Sequence, residues 1–381
     1  MTMNTDRDNR IVMTLDAGGT NFIFSAIRGN QEVVSPLWKP SYPDDLDRCL
    51  DTVIQGFDEV MQLLPGPPSA ISFAFPGPAD YPGGIIGKLP NLKAFSGGVP
   101  LGPMLEDHFR IPVFINNDGN LFAYGEALAG FLPDLNRRLK EAGGIKPYTG
   151  LIGFTLGTGF GAGIVLENRM LVGNSSCGAE IHNTLNALNP AWNAEESVST
   201  RAIQRVYRRE SGESGSTSLM PRDIYEIAHG LKAGNREAAL LAFREFGTGL
   251  GYSVANTLAL IDGIVVLGGG ITSAWDLFAP HMFSAIKHPH EDPDGNQLPR
   301  LSYRVFNLED NSLFKEFATG DIREIEVPGS GRKVVYDDLP RTGIGISKLG
   351  ASRAIALGAY AFALQQLEEK NQGKRTKSDD V

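Results

Sequence analysis

The chain is poor in the features that would place it outside ordinary globular proteins. Of its 381 residues only Cys49 and Cys177 are cysteines, too few for a disulfide framework and suited to a reducing compartment. No run approaches the roughly 18 uninterrupted apolar residues that a membrane span requires. A basic excess is missing as well. The formal net charge is -9, which argues against nucleic acid or an anionic membrane as the main partner. The opening MTMNTDRDNR lacks the apolar core of a signal peptide, so a cytoplasmic location is expected. What is present is a composition, 42% hydrophobic and 21% charged, with ample material for a core. The length suggests two domains.

Short apolar runs broken by glycine dominate the pattern. Ile11 to Leu15 is stopped by Asp16-Ala17-Gly18-Gly19-Thr20, a strand resumes at Phe22 to Ile27, and residues 28–31 turn it back toward Val33. Leu46, Leu50, Val53, Ile54, Phe57, Val60, Met61 and Leu64 follow helical spacing, with Asp44 or Asp45 placed to cap. Residues 70–75 read as a strand. The segment from Pro112 to Asn116 reads as another, ending in Asn116-Asn117-Asp118-Gly119-Asn120 and a helix. Residues 133–149 are polar and expected to loop.

The first unit then returns. Leu151 to Leu156, the turn Gly157-Thr158-Gly159-Phe160-Gly161, the strand at 162–166 and the turn at 167–169 match the opening hairpins in kind and nearly in spacing. An internal repeat of a whole supersecondary unit predicts two similar α/β domains, each offering a glycine turn to a cleft. Further on, a helix over 237–259 precedes a strand over 261–267 that ends in Gly268-Gly269-Gly270. Residues 285–345 read as an irregular insertion, with a strand at 333–336, serving as a dimer contact or a cleft wall. Residues 349–367 form an Ala-rich helix, and 368–381 a charged tail.

Backbone N–H groups at a glycine turn after a strand can point at a phosphate, although a tight hairpin needs the same glycines. Asp16 beside such a turn suits Mg2+, which takes a few carboxylates plus substrate phosphates, or it simply bonds the turn amides. Asp118 can accept a proton from an attacking hydroxyl while Asn117 holds a neighbouring one. The competing role is to cap the helix, for which Asn120 is the better candidate. Glu180 and His182, in CGAEIHN, suit a grip on vicinal hydroxyls. Glu195 and Glu196 precede a helix start at Ser197 or Ser199, where an acid also complements the helix dipole.

Taken in order, DAGGTN (16–21), FPGPAD (75–80), PNL (90–92), INNDGN (115–120), GTGFGAGIV (157–165), EESVSTRAIQRVY (195–207) and LGGGI (267–271) resemble the ROK family of sugar kinases and regulators. That family lies within the actin/hexokinase-like ATPase superfamily. The resemblance implies two ribonuclease H-like α/β domains with a cleft. The first is 1–130, completed by the helix over 349–367. The second is 131–348. It implies ATP with Mg2+ and a sugar, a hexose or N-acetylhexosamine, phosphorylated on a hydroxyl with Asp118 as base. The sugar would be held by Asn117, Glu180, His182, Glu196 and Gly77. The phosphates would lie on Asp16, Gly18, Gly19, Thr20, Asn21, Gly157, Thr158 and Gly159, and adenosine on Gly268, Gly269 and Gly270. The alternative within the family is a non-catalytic sugar sensor acting through a protein partner.

The sequence departs from the family pattern in two places. Only Ile181 separates Glu180 from His182, where the family has two residues. The family's zinc site, a His with three closely spaced Cys, is missing between Asn183 and Ala194, so no zinc is expected and packing by Asn, Leu and Trp192 must order that loop. Only fifteen residues precede Asp16. A regulator's winged helix does not fit there, and no nucleic-acid partner is expected. The composition is compatible with a homodimer.

Overall fold

The computed structural model describes residues 5–379 other than Gly19, Pro78, residues 88–94, Ser96 and residues 213–218. Gly19, Pro78 of FPGPAD and the PNL motif at 90–92 therefore lie outside the described residues. Two compact units are present. Unit 1 comprises Met1–Pro133, Gly163–Ala179 and Lys348–Val381, and unit 2 comprises Asp134–Ala162 and Glu180–Ser347.

Unit 1 begins with three consecutive strands, β1 (Ile11–Ala17), β2 (Asn21–Arg28) and β3 (Gln31–Pro40), followed by helix α1 (Leu46–Leu63) and β4 (Pro68–Ala74). A small hairpin of β5 (Ala79–Asp80) and β6 (Ile85–Ile86) comes next, then α2 (Leu101–Phe109), β7 (Val113–Asn116) and α3 (Asp118–Leu128). The sheet order is β3-β2-β1-β4-β7. β1 runs antiparallel to β2 and parallel to β4, and β4 runs parallel to β7.

Alternate residues of β1 serve opposite faces, as a strand's period of two requires. Ile11, Met13 and Leu15 join a core with Val53, Phe57 and Val60 of α1. Val12 faces the other way, into a cluster with Leu357, Tyr360 and Leu364. The latter belong to the C-terminal helix, which runs from Ala351 to Asp379 and is numbered α10 below. It does not stop near Leu367 as expected, because Glu368, Glu369, Lys370 and Gln372, which follow, are good helix formers.

Helix α4 (Phe131–Glu141) occupies the start of the segment expected to loop. Its charges hide a short apolar stripe, Leu132, Leu135 and Leu139, which is buried. Three strands follow, β8 (Leu151–Leu156), β9 (Phe160–Leu166) and β10 (Arg169–Met170), then helices α5 (Thr200–Ser211), α6 (Pro221–Ala228) and α7 (Arg236–Leu258). Beyond these lie β11 (Ile264–Gly268), α8 (Trp275–Lys287), the hairpin β12 (His290–Glu291) and β13 (Gln297–Leu298), and β14 (Arg304–Asn307). The chain continues through α9 (Asn311–Thr319), the exposed hairpin β15 (Ile322–Glu326) and β16 (Lys333–Asp337), and β17 (Arg341–Ile346), before α10.

The second sheet has the order β10-β9-β8-β11-β17-β14. Its first five strands repeat the first sheet: three in sequence, then two more parallel to the first of them. The duplication expected from the glycine hairpins is thus a duplication of sheet topology, and the fold is the two-domain actin/hexokinase-like α/β fold. One expectation fails. Residues 285–345 are not an irregular insertion, since β14 and β17 pair in parallel within the second sheet. Parallel strands are short and are recruited by distant partners, so local periodicity does not reveal them.

Candidate functional site

In unit 1 the sheet register gathers the polar residues. Asp16 is opposite Ala74, and Ala74 is opposite Asn116, so the carboxyl ends of β1, β4 and β7 form one row. In open α/β sheets this is the edge where ligands bind. The turn after β1 is tight: the Gly18 N–H donates to the Asn21 carbonyl at 3.1 Å. A Cβ on Gly18 would lie only 2.8 Å from that oxygen. Asp16 is half-buried, whereas Thr20 and Asn21 are exposed.

At the end of β7 the chain is organised by its own amides. Asn116, buried, accepts from the Asn117 N–H at 2.8 Å and from Asn120 Nδ2 at 3.2 Å. Asn117 caps α3, its Oδ1 accepting from the Gly119 N–H at 2.8 Å. This corrects the expectation that Asn120 caps. Asn120 lies inside the first turn and is buried, with Oδ1 unpartnered. Asp118 is the first helical residue, and its Oδ1 also accepts from the Gly119 N–H at 2.8 Å.

The Asp118 side chain is open to solvent, yet protein crowds it enough for burial to lift its carboxyl above the usual range. Hydrogen bonds from the Gly119 and Asp118 amides pull the other way, and the charge of Asp16 adds a further rise. The result is a carboxylate at a helix N-terminus that is more basic than an ordinary aspartate. Gly77 sits in the turn after β4, where a Cβ would come within 2.7 Å of the Tyr81 hydroxyl. That hydroxyl donates to the Phe75 carbonyl at 2.9 Å. Tyr81 therefore braces the turn, a role for which the sequence offered no signal.

Unit 2 carries the second glycine turn. The Gly157 N–H donates to the Gly159 carbonyl at 3.1 Å. Thr200, at the start of α5, donates to the Gly157 carbonyl from N at 2.9 Å and from Oγ1 at 3.0 Å. Glu195 Oε2 accepts from the Phe160 N–H at 2.9 Å. Thr158 is left exposed at the tip. At the end of β11, Gly269 has φ +96°, and a Cβ there would run into the Leu156 backbone. Glycine is required at that position by both conformation and space. Gly268 is buried and Gly270 opens outward.

Glu180 and His182 come together, Oε2 to Nδ1 at 3.0 Å, on either side of Ile181. Glu196 turns elsewhere. Its Oε1 lies 2.7 Å from Arg201 Nη2, and its Oε2 lies 2.8 Å from Arg205 Nη1. The hydrogen bond from Arg201 is the chief cause that lowers its carboxyl, with Arg205 adding to it against some burial. Glu195, its neighbour, shares Arg201 through Oε1 at 2.7 Å and gives its other oxygen to the glycine turn. Glu196 is the expected sugar ligand, and of the two glutamates it is Glu195 that reaches the glycine turn. Two adjacent residues of a 3-10 turn point well apart, and spacing alone does not choose between them.

Among known proteins, the ROK family model matches residues 12–302. The glucokinase of Parabacteroides distasonis has a crystal structure 50% identical in sequence, with a TM-score of 0.87, covering 95% of this chain and 99% of that one. The glucokinase of Thermotoga maritima is 24% identical over 70% of this chain and 84% of its own length. The N-acetyl-D-glucosamine kinase of Vibrio cholerae is 26% identical over 70% and 86% respectively. The repeated sheets, the two glycine turns at strand ends and the extent of the family match agree: this chain belongs to the ROK family.

Proposed function

We propose that this protein is an ATP-dependent sugar kinase, transferring the γ-phosphoryl group of ATP to a hydroxyl of a hexose or N-acetylhexosamine, with Asp118 as general base. One observation carries the assignment of the base. Asp118 is an open carboxylate at the ligand-binding edge of a sheet, made more basic by burial and by Asp16. A base for a sugar hydroxyl must be free to take a proton and must hold it more readily than an ordinary aspartate does. Asn117, fixed by its own capping bond, stands beside it to orient a neighbouring hydroxyl.

Glu180 and His182, already paired, suit two vicinal hydroxyls. Both glutamates are engaged, and we choose Glu195 over Glu196 for the set of sugar ligands because Glu195 joins the second glycine turn, whereas Glu196 is held by Arg201 and Arg205. Apart from the Gly18 and Gly157 N–H groups, which close the turns onto the Asn21 and Gly159 carbonyls, backbone N–H groups of the two glycine turns suit phosphate oxygens, and Gly268 to Gly270 suit the adenosine. The hard oxygen donors of Asp16 fit Mg2+. When bound, the metal neutralises phosphate charge. Phosphoryl transfer is mostly positioning and electrostatics, so the residues' work is to hold the hydroxyl, accept its proton and shield charge. No helix among the described residues is long and apolar enough to cross a membrane.

The test is ADP release with a panel of hexoses and N-acetylhexosamines. Turnover that depends on one or a few sugars is expected. Measurable sugar binding without turnover on any of them overturns the kinase reading in favour of a sensor, and turnover without sugar points to a plain ATPase.

A further inference from the structure

The loop between Glu180 and Glu195 closes on itself through one buried side chain. Asn186 is 2% exposed and uses its whole amide. Nδ2 donates to the Asn193 carbonyl at 2.9 Å and to Ser197 Oγ at 2.8 Å. Oδ1 accepts from the Leu188 N–H at 2.9 Å and the Asn189 N–H at 3.2 Å. Two donors and two acceptor positions are thereby satisfied, the full capacity of an asparagine in this geometry.

Backbone bonds complete the closure. Ala194 N donates to the Thr184 carbonyl at 2.9 Å, and Leu185 bridges to Asn193. Each end of the loop is a 3-10 turn. Ile181–Asn183 carries His182 next to Glu180, and Ala194–Glu196 carries Glu195. Ile181 and Ala194 are buried in the two turns, but between them apolar burial does little, because Leu185 is 68% exposed, Leu188 41% and Trp192 40%. Hydrogen bonds are what remain, and they converge on Asn186.

We infer that Asn186 is a positioning residue for sugar binding, setting the separation between the Glu180–His182 pair and Glu195; this rests on the kinase reading above. No other side chain of its size offers two donors and two acceptors in these directions. Aspartate keeps both acceptor bonds but turns a carboxylate oxygen toward the Asn193 carbonyl. Alanine loses all four bonds. Each bond of this type contributes roughly 0.5–1.5 kcal/mol net. Losing the two donor bonds is then worth about tenfold in sugar affinity.

The experiment compares wild type, Asn186→Asp and Asn186→Ala, using the sugar that wild type turns over best. The expected result is a sugar KM raised about tenfold in Asn186→Asp and by more in Asn186→Ala, with ATP KM within about twofold. Circular dichroism and thermal melting check that each variant is folded. An unchanged sugar KM in folded variants overturns the proposal, as does a parallel rise in both KM values. Should Asn186→Ala not fold, Asn186→Asp decides; should neither fold, Asn186 serves the whole domain and the proposal falls. Failure of the kinase reading shows separately, as wild type without sugar-dependent turnover. Calorimetric sugar affinity of wild type and Asn186→Asp then still tests the positioning role.

Discussion

Replacing Asp118 by asparagine changes one atom and separates catalysis from folding. The amide oxygen still accepts from the Gly119 N–H, so the first turn of α3 keeps its bond. What disappears is the basic oxygen and the negative charge. Loss of a general base lowers kcat by about 10²–10⁴-fold, equivalent to about 3–5 kcal/mol of barrier. Sugar KM, set by other residues, should move much less. Stability should move the other way. The folded-state carboxyl is raised, first by burial and further by Asp16, whereas in the unfolded chain it titrates near the ordinary value of about 3.9. Protonation therefore favours the fold: that contribution is complete below the unfolded value and is lost as pH rises through the folded one. At neutral pH wild type carries a charge that its surroundings disfavour and that Asp118→Asn lacks. The variant should melt at the same temperature or higher at pH 7, and the gap should close below about pH 4. The kcat/KM profile of wild type should fall on the acid side as Asp118 takes up its proton. Asp16→Asn, which removes one cause of the rise, should shift that limb to lower pH. The assays are coupled ADP release and calorimetric melting. A variant retaining kcat within about threefold refutes Asp118 as base, and one that melts lower at pH 7 refutes the electrostatic reasoning.

Glu195→Gln should lower kcat/KM for the sugar about tenfold or more, because it weakens an acceptor that holds the Phe160 N–H and Arg201. Glu196→Gln breaks only partly exposed pairs, worth about 0–1 kcal/mol, and should leave kcat/KM within about threefold; the reverse order of effects would return the site to Glu196. In the packing of α3 against α10, a Cβ on Gly358 would overlap the Leu121 carbonyl, and one on Gly125 the Ala354 carbonyl. Gly358→Ala should therefore lower the unfolding free energy by about 1–3 kcal/mol in urea titration, and an unchanged midpoint would show that the helices separate at little cost.

Some of this architecture was legible in sequence because its causes are local. The glycine turns, the strands before them and the cap at Asp45 depend on residues within a few positions, and they stand out as patterns. Membership of β14 and β17 in the second sheet depends on partners up to tens of residues away, and their segments are too short to show a period. Helix α4 was hidden because charge pairs such as Arg137 with Asp134 and Glu141 cover its narrow apolar stripe.

The site divides along the same line. Asp118 could be found as a carboxylate at a strand end, but its raised basicity comes first from burial and then from Asp16, about a hundred residues earlier, brought within reach only by the row across β1, β4 and β7. Glu195 and Glu196 are adjacent and chemically identical, and what tells them apart is which of them meets the glycine turn and which meets Arg205. Asn186 is the extreme case. The sequence points to the asparagines of its loop without choosing among Asn183, Asn186, Asn189 and Asn193, and the choice exists only in the fold, where a single buried amide finds four partners spread from Leu188 to Ser197. Motifs therefore identify the groups that react, while the groups that hold them at the right separation emerge only from the geometry.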